Sequence, residues 1–141
     1  MKRLSEGFYP SLIFAIFIML IMGLPGDYFP AVVSFWDWLT PDKIVHLAIF
    51  GIFSFITLWG YRNTLLQTSK THTRKIFITT IIFTISYGAL TEILQKYLFI
   101  RRYGCIYDFI ADTIGCLLGI FLFTFYHKKK LKKIKNTRSN I

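Results

Sequence analysis

The stretch TEILQKYLFIRRYGCIYDFIADTIG, residues 91–115, lies in the most apolar half of the chain yet carries Glu92, Gln95, Arg101, Arg102, Asp108 and Asp112. One apolar run, residues 76–98, closes inside it, and another, residues 108–126, opens inside it. Two further runs lie upstream, at residues 8–24 and 43–61. Each approaches the ~20 residues that cross the hydrocarbon layer as a helix rising ~1.5 Å per residue. The charged stretch therefore reads as the connection between two membrane helices, with ionisable groups placed on both of them.

Composition agrees with that reading. Of the 141 residues 54% are hydrophobic and only 17% charged, below the ~25% charged fraction of ordinary globular proteins. The expected fold class is an all-α membrane protein, a four-transmembrane-helix bundle over residues 1–126, followed by a basic cytoplasmic tail at residues 127–141. Pro10 suits the first turn of the first helix, and Pro25-Gly26 ends it. A basic start at Lys2 and Arg3 also resembles a signal peptide, but Leu24-Pro25-Gly26 is a poor cleavage site, so a retained helix is expected.

The net charge of +10 is gathered at a few places. Residues 128–138 read KKKLKKIKNTR and follow directly on an apolar run, while residues 62–75 carry Arg62, Lys70, Arg74 and Lys75. Such clusters suit juxtamembrane anchoring to anionic lipids rather than nucleic acid. With four crossings, the basic segments share one side and both termini are cytoplasmic. Residues 25–42 hold three aspartates and no Lys or Arg, as expected of the outer side. Lys70–Lys75 reads as a polar cytoplasmic turn, with His72 a solvated loop residue, and the last residues are expected to be disordered. Cys105 and Cys116 lack zinc-type spacing and read as unpaired packing residues.

This topology draws separated residues to one depth. Asp42, Lys43 and His46 open the second helix, Glu92 and Gln95 close the third, and Asp108 and Asp112 open the fourth, all near the outer face. Asp42 with His46, and Asp108 with Asp112, share helix faces at four-residue spacing. Gly88, one turn before Glu92, removes side-chain bulk toward a neighbouring helix. Gly115 and Gly119 make a G-x-x-x-G packing pair beneath Asp112. Ionisable groups inside a membrane usually face the bundle interior or a wet cavity, where mutual pairing offsets their cost. Arg101 and Arg102 stand on the side that normally lacks basic residues.

These residues resemble the VanZ-like family of small bacterial membrane proteins. Asp42-Lys43-x-x-His46, Glu92-x-x-Gln95, Arg102, Asp108 and Gly115 carry the resemblance in order and spacing, over residues 41–119. The family commonly has asparagine where this chain has Asp112, so the site here holds one more acid. The resemblance implies a protein of the bacterial cytoplasmic membrane and cell envelope, and a link to low-level teicoplanin resistance.

Three readings of the cluster follow. His46, Glu92, Arg102, Asp108 and Asp112 form a structural polar knot between helices. Alternatively, the outward-facing site binds an envelope lipid, cell-wall precursor or glycopeptide, with Arg102 pairing a phosphate or carboxylate beside Phe35, Trp36 and Trp38. In the third, the site is a membrane-embedded hydrolase or metalloenzyme, with His46 and the carboxylates as acid and base, or His46, Glu92 and Asp108 on a divalent metal. No H-E-x-x-H or G-x-S-x-G motif is present, so the residues lean away from catalysis and name no cofactor.

Overall fold

Polar and apolar side chains share the inside of this molecule, and large apolar ones cover much of its outside. The computed structural model describes residues 6–23, 41–98 and 105–139. The chain forms α1 (Tyr9–Met22), α2 (Pro41–Gly60), a short α3 (Arg62–Gln67), α4 (Lys70–Tyr97) and α5 (Ile106–Ser139). The described residues are helical apart from short connections. Helices α2, α4 and α5 are long and apolar enough to cross a membrane, and α1 is a shorter apolar helix.

The buried stripe of α4 consists of Thr80, Thr84, Gly88, Thr91, Glu92 and Gln95, without one large apolar residue. Ile82, Leu90 and Ile93 on its other faces are exposed. On α5 the buried positions 108, 111, 112, 115, 116, 119, 120 and 123 recur every three or four residues, while Leu117, Phe121, Leu122 and Phe125 face outward. In water this distribution would leave a large apolar surface exposed; in lipid that surface is solvated.

Helices α2 and α5 make the most extensive contact in the bundle. A Cβ on Gly119 would overlap the Gly51 carbonyl oxygen and Ser54, and one on Gly115 would overlap the Leu47 carbonyl oxygen. Glycine on α5 thus lets the two backbones approach, and Gly51 continues the same seam on α2. The Ser54 hydroxyl donates to the Cys116 carbonyl at 2.9 Å across it. Phe50, Phe53, Ile18, Met22 and Cys116 fill the adjoining core. Helix α1 runs antiparallel to α2: the Gly7 amide donates to the Gly60 carbonyl at one end, and Met22 lies beside Gln95 at the other. Ser11 bonds Thr57 at 2.8 Å, and the Tyr87 hydroxyl donates to the Ala15 carbonyl at 2.6 Å, fastening α1 to α2 and α4. Both cysteines are free.

Three local expectations change. Lys70–Lys75 is the start of α4 rather than a turn, because Ser69 adopts an extended backbone and its hydroxyl accepts from the His72 amide at the helix start. The basic connection at residues 62–69 also contains α3, whose Arg62 stacks over Trp59 at 3.7 Å. Finally, α5 does not stop near residue 126 but continues through Ser139, so residues 127–139 are helical; residues 140–141, where disorder was expected, lie outside the described residues. Lys128 to Lys135 form a run of good helix formers with nothing to break it. At 34 residues α5 is ~51 Å long, against ~30 Å of hydrocarbon. None of its described residues beyond Phe123 is fully buried, so the basic part leaves the bundle as a projecting helix.

Candidate functional site

Three helices meet where α2 begins, α4 ends and α5 begins. His46 lies in the second turn of α2 and is 1% exposed. Its Nδ1 is 2.9 Å from Asp112 Oδ1 on α5 and 3.6 Å from Glu92 Oε1 on α4. Asp112 is 1% and Glu92 9% exposed. One side chain from each helix therefore enters a single buried niche.

Local structure fixes each member. The other oxygen of Glu92, Oε2, accepts a hydrogen bond from the Cys105 amide at 2.9 Å, just before the first turn of α5. A carboxylate there complements the helix's positive N-terminal end. Gly88 makes room for Asp112: a Cβ on that glycine would lie 3.3 Å from both Cβ and Oδ2 of the aspartate. Phe50, fully buried one turn below His46, closes the apolar side. Within the niche, His46 Nε2, Glu92 Oε1 and Asp112 Oδ2 are buried with no hydrogen-bond partner among the described residues. Buried polar atoms are usually paired, so three orphans in one place set this site apart from a closed polar knot.

The remaining residues named from sequence take up different positions. Asp108 is buried one turn before Asp112. Asp42 and Lys43 are half-buried at the start of α2. Gln95 faces α1 instead, its amide nitrogen 3.5 Å from the Met22 carbonyl and 3.6 Å from the Met22 sulfur. Three donor atoms, one each from His46, Glu92 and Asp112, lie within 4.8 Å of one another. Asp112 thus takes the place that the metal-binding alternative gave to Asp108. Arg101, Arg102, Phe35, Trp36 and Trp38 lie outside the described residues. Gly51 was missed from sequence; a lone glycine in an apolar helix carries no sign of which helix it meets.

Fold and site together define a polytopic helical membrane protein with a buried acid–imidazole cluster between its three longest helices. The VanZ/LLP1 family model matches residues 8–127. The chain belongs to the VanZ/LLP1 family. It is also similar to an uncharacterized protein of Schizosaccharomyces pombe, 26% identical over 97 residues, which are 69% of this chain and 55% of that protein. The chain thus spans about half the length of the curated relative it matches. No solved structure matches it.

Proposed function

We propose that this VanZ-family protein sits in the bacterial cytoplasmic membrane with both termini cytoplasmic. In that membrane it binds the anionic head group of an envelope lipid or lipid-linked cell-wall precursor at the outward end of α2, α4 and α5. The observation that carries the reading of this end as the working site is the trio of buried polar atoms on His46, Glu92 and Asp112, unpartnered among the described residues. Ionisable side chains at membrane depth are costly and concentrate at ligand and ion pathways. Lys43, half-buried at the start of α2, and Arg102 in the adjoining connection supply the cations that an anionic head group needs. Burial of the floor limits direct access to small groups, so the head group meets these cations while the acyl chains lie against the exposed apolar faces.

A link to teicoplanin susceptibility then arises indirectly, through the supply of lipid-linked precursors. The test is native mass spectrometry of the protein in nanodiscs offered phosphatidylglycerol, a polyprenyl phosphate or phosphatidylcholine. Selective retention of a phosphate-bearing anionic lipid, weakened by Lys43→Ala and Arg102→Ala, is expected. Equal retention of phosphatidylcholine would contradict the assignment.

One observation favours a second reading, proton-transfer catalysis: the 2.9 Å contact of His46 with Asp112 suits an acid–base pair. Release of phosphate from a lipid-linked diphosphate, lost in His46→Ala, would select it.

A further inference from the structure

We infer that His46, Glu92 and Asp112 bind one divalent transition-metal ion, of the Zn²⁺ or Mn²⁺ class, in the niche between α2, α4 and α5. The inference rests on reading this niche as a working site and names what occupies its floor.

Geometry is the first support. Bonds of ~2.1 Å place neighbouring ligand atoms ~3.0 Å apart at a right angle and ~3.4 Å apart at a tetrahedral one. His46 Nδ1 lies 2.9 Å from Asp112 Oδ1 and 3.6 Å from Glu92 Oε1, spacings that bracket both geometries. All three donors lie within 4.8 Å of one another, near enough for one ion to draw them together. The proton now shared by His46 and Asp112 would leave as the metal enters.

The orientation of the carboxylates is the second. Glu92 spends Oε2 on the Cys105 amide and turns Oε1, unpartnered, into the niche. Anchoring one oxygen of a ligating carboxylate is how proteins aim the other at a metal. Asp112 faces the imidazole through Oδ1, and its Oδ2 has no partner among the described residues. Both side chains are at least nine-tenths buried.

Charge is the third. Two carboxylates and a neutral imidazole carry −2, which a dication cancels within a site that the bilayer cannot solvate. One nitrogen and two oxygens suit zinc or manganese rather than the soft thiolate-seeking ions. A metal also resolves a difficulty in the proposed function, since an acid-lined floor repels a phosphate and a metal-loaded one attracts it. Asp112 provides the second negative charge, making Asp112→Asn the sharpest variant.

The experiment uses the full chain in phosphatidylcholine nanodiscs, stripped with chelator and then offered Mn²⁺ or Zn²⁺ alone. Bound metal is measured by elemental analysis after desalting. About one ion per chain is expected for the wild type, with affinity at least ~10–100-fold weaker in Asp112→Asn and Glu92→Gln while the helical circular dichroism persists. A wild type that retains neither metal, or variants that retain it equally, would overturn the inference. If the variants lose helicity, pulsed EPR of the Mn²⁺-loaded wild type decides: nitrogen coupling from one imidazole supports the site, and its absence refutes it. Anionic head-group uptake is followed in parallel, with the same protein in nanodiscs that also contain phosphatidylglycerol. A wild type that takes up phosphatidylglycerol but retains no metal would remove this inference and leave the proposed function, and one that retains metal but takes up no phosphatidylglycerol would do the reverse.

Discussion

His46 and Asp112 hold each other in place inside the bundle, and the two are not equivalent to remove. His46→Ala leaves a buried carboxyl group without its partner, a loss of ~1–3 kcal/mol. Asp112→Asn keeps a hydrogen-bonding oxygen opposite the imidazole and is expected to cost less than ~1 kcal/mol. Unfolding in mixed micelles with chelator present measures both, and equal losses would show that the contact contributes little. That His46, Glu92 and Asp112 lie inside the bundle could be read from sequence, because charge inside an apolar run is expensive. Which aspartate faces the histidine could not. Asp108 and Asp112 are four residues apart on one helix face, and both are buried. Rotation and depth of α5 decide between them, and those follow from where Gly115 and Gly119 meet Leu47 and the Gly51–Ser54 turn. Gln95 was also expected in the cluster; its rotation toward Met22 depends on where α1 packs, which an apolar run does not encode.

The seam between α2 and α5 is built from backbone contact, so added methyl groups there should act very differently from one elsewhere. A Cβ at position 119 meets a carbonyl oxygen and Ser54, and the backbones must separate to admit it. Gly119→Ala should destabilise the bundle by ~1–3 kcal/mol through overpacking. At Gly88 the neighbours are side-chain atoms at 3.3–3.4 Å, which can give way by a few tenths of an ångström. Gly88→Ala should therefore cost less than Gly119→Ala, and steric trapping in bicelles would reveal the order; the reverse order would place the close seam elsewhere. Apolar runs announced α2, α4 and α5 as helices, since their length and composition suffice. Their ends were harder to place. Residues 70–75 and 128–138 are polar enough to read as turn or tail, yet lysine-rich segments extend a helix readily once an apolar helix has nucleated it.

The whole molecule is polarised along its long axis. Arg62, Lys70, Lys75 and the lysines of α5 stand at one end, and His46, Glu92 and Asp112 gather toward the other. Basic residues favour the cytoplasmic face, and the orientation proposed above follows that preference by putting the acid–imidazole niche on the outer side. In whole cells Cys105, half-buried at the niche end, should react with a membrane-impermeant maleimide, whereas Thr137→Cys on the exposed basic helix should react only after lysis. Opposite labelling would invert the orientation and move the proposed ligand to the cytoplasmic leaflet. Buried Cys116 should stay unlabelled in both cases. The most direct check is an experimental structure of the full chain in lipid nanodiscs, at a resolution that fixes side chains. The imidazole of His46 should stand within hydrogen-bonding or shared-metal distance of Asp112, with the Glu92 carboxylate alongside. A map in which these three side chains diverge toward separate lipid or solvent faces would contradict the account at its base.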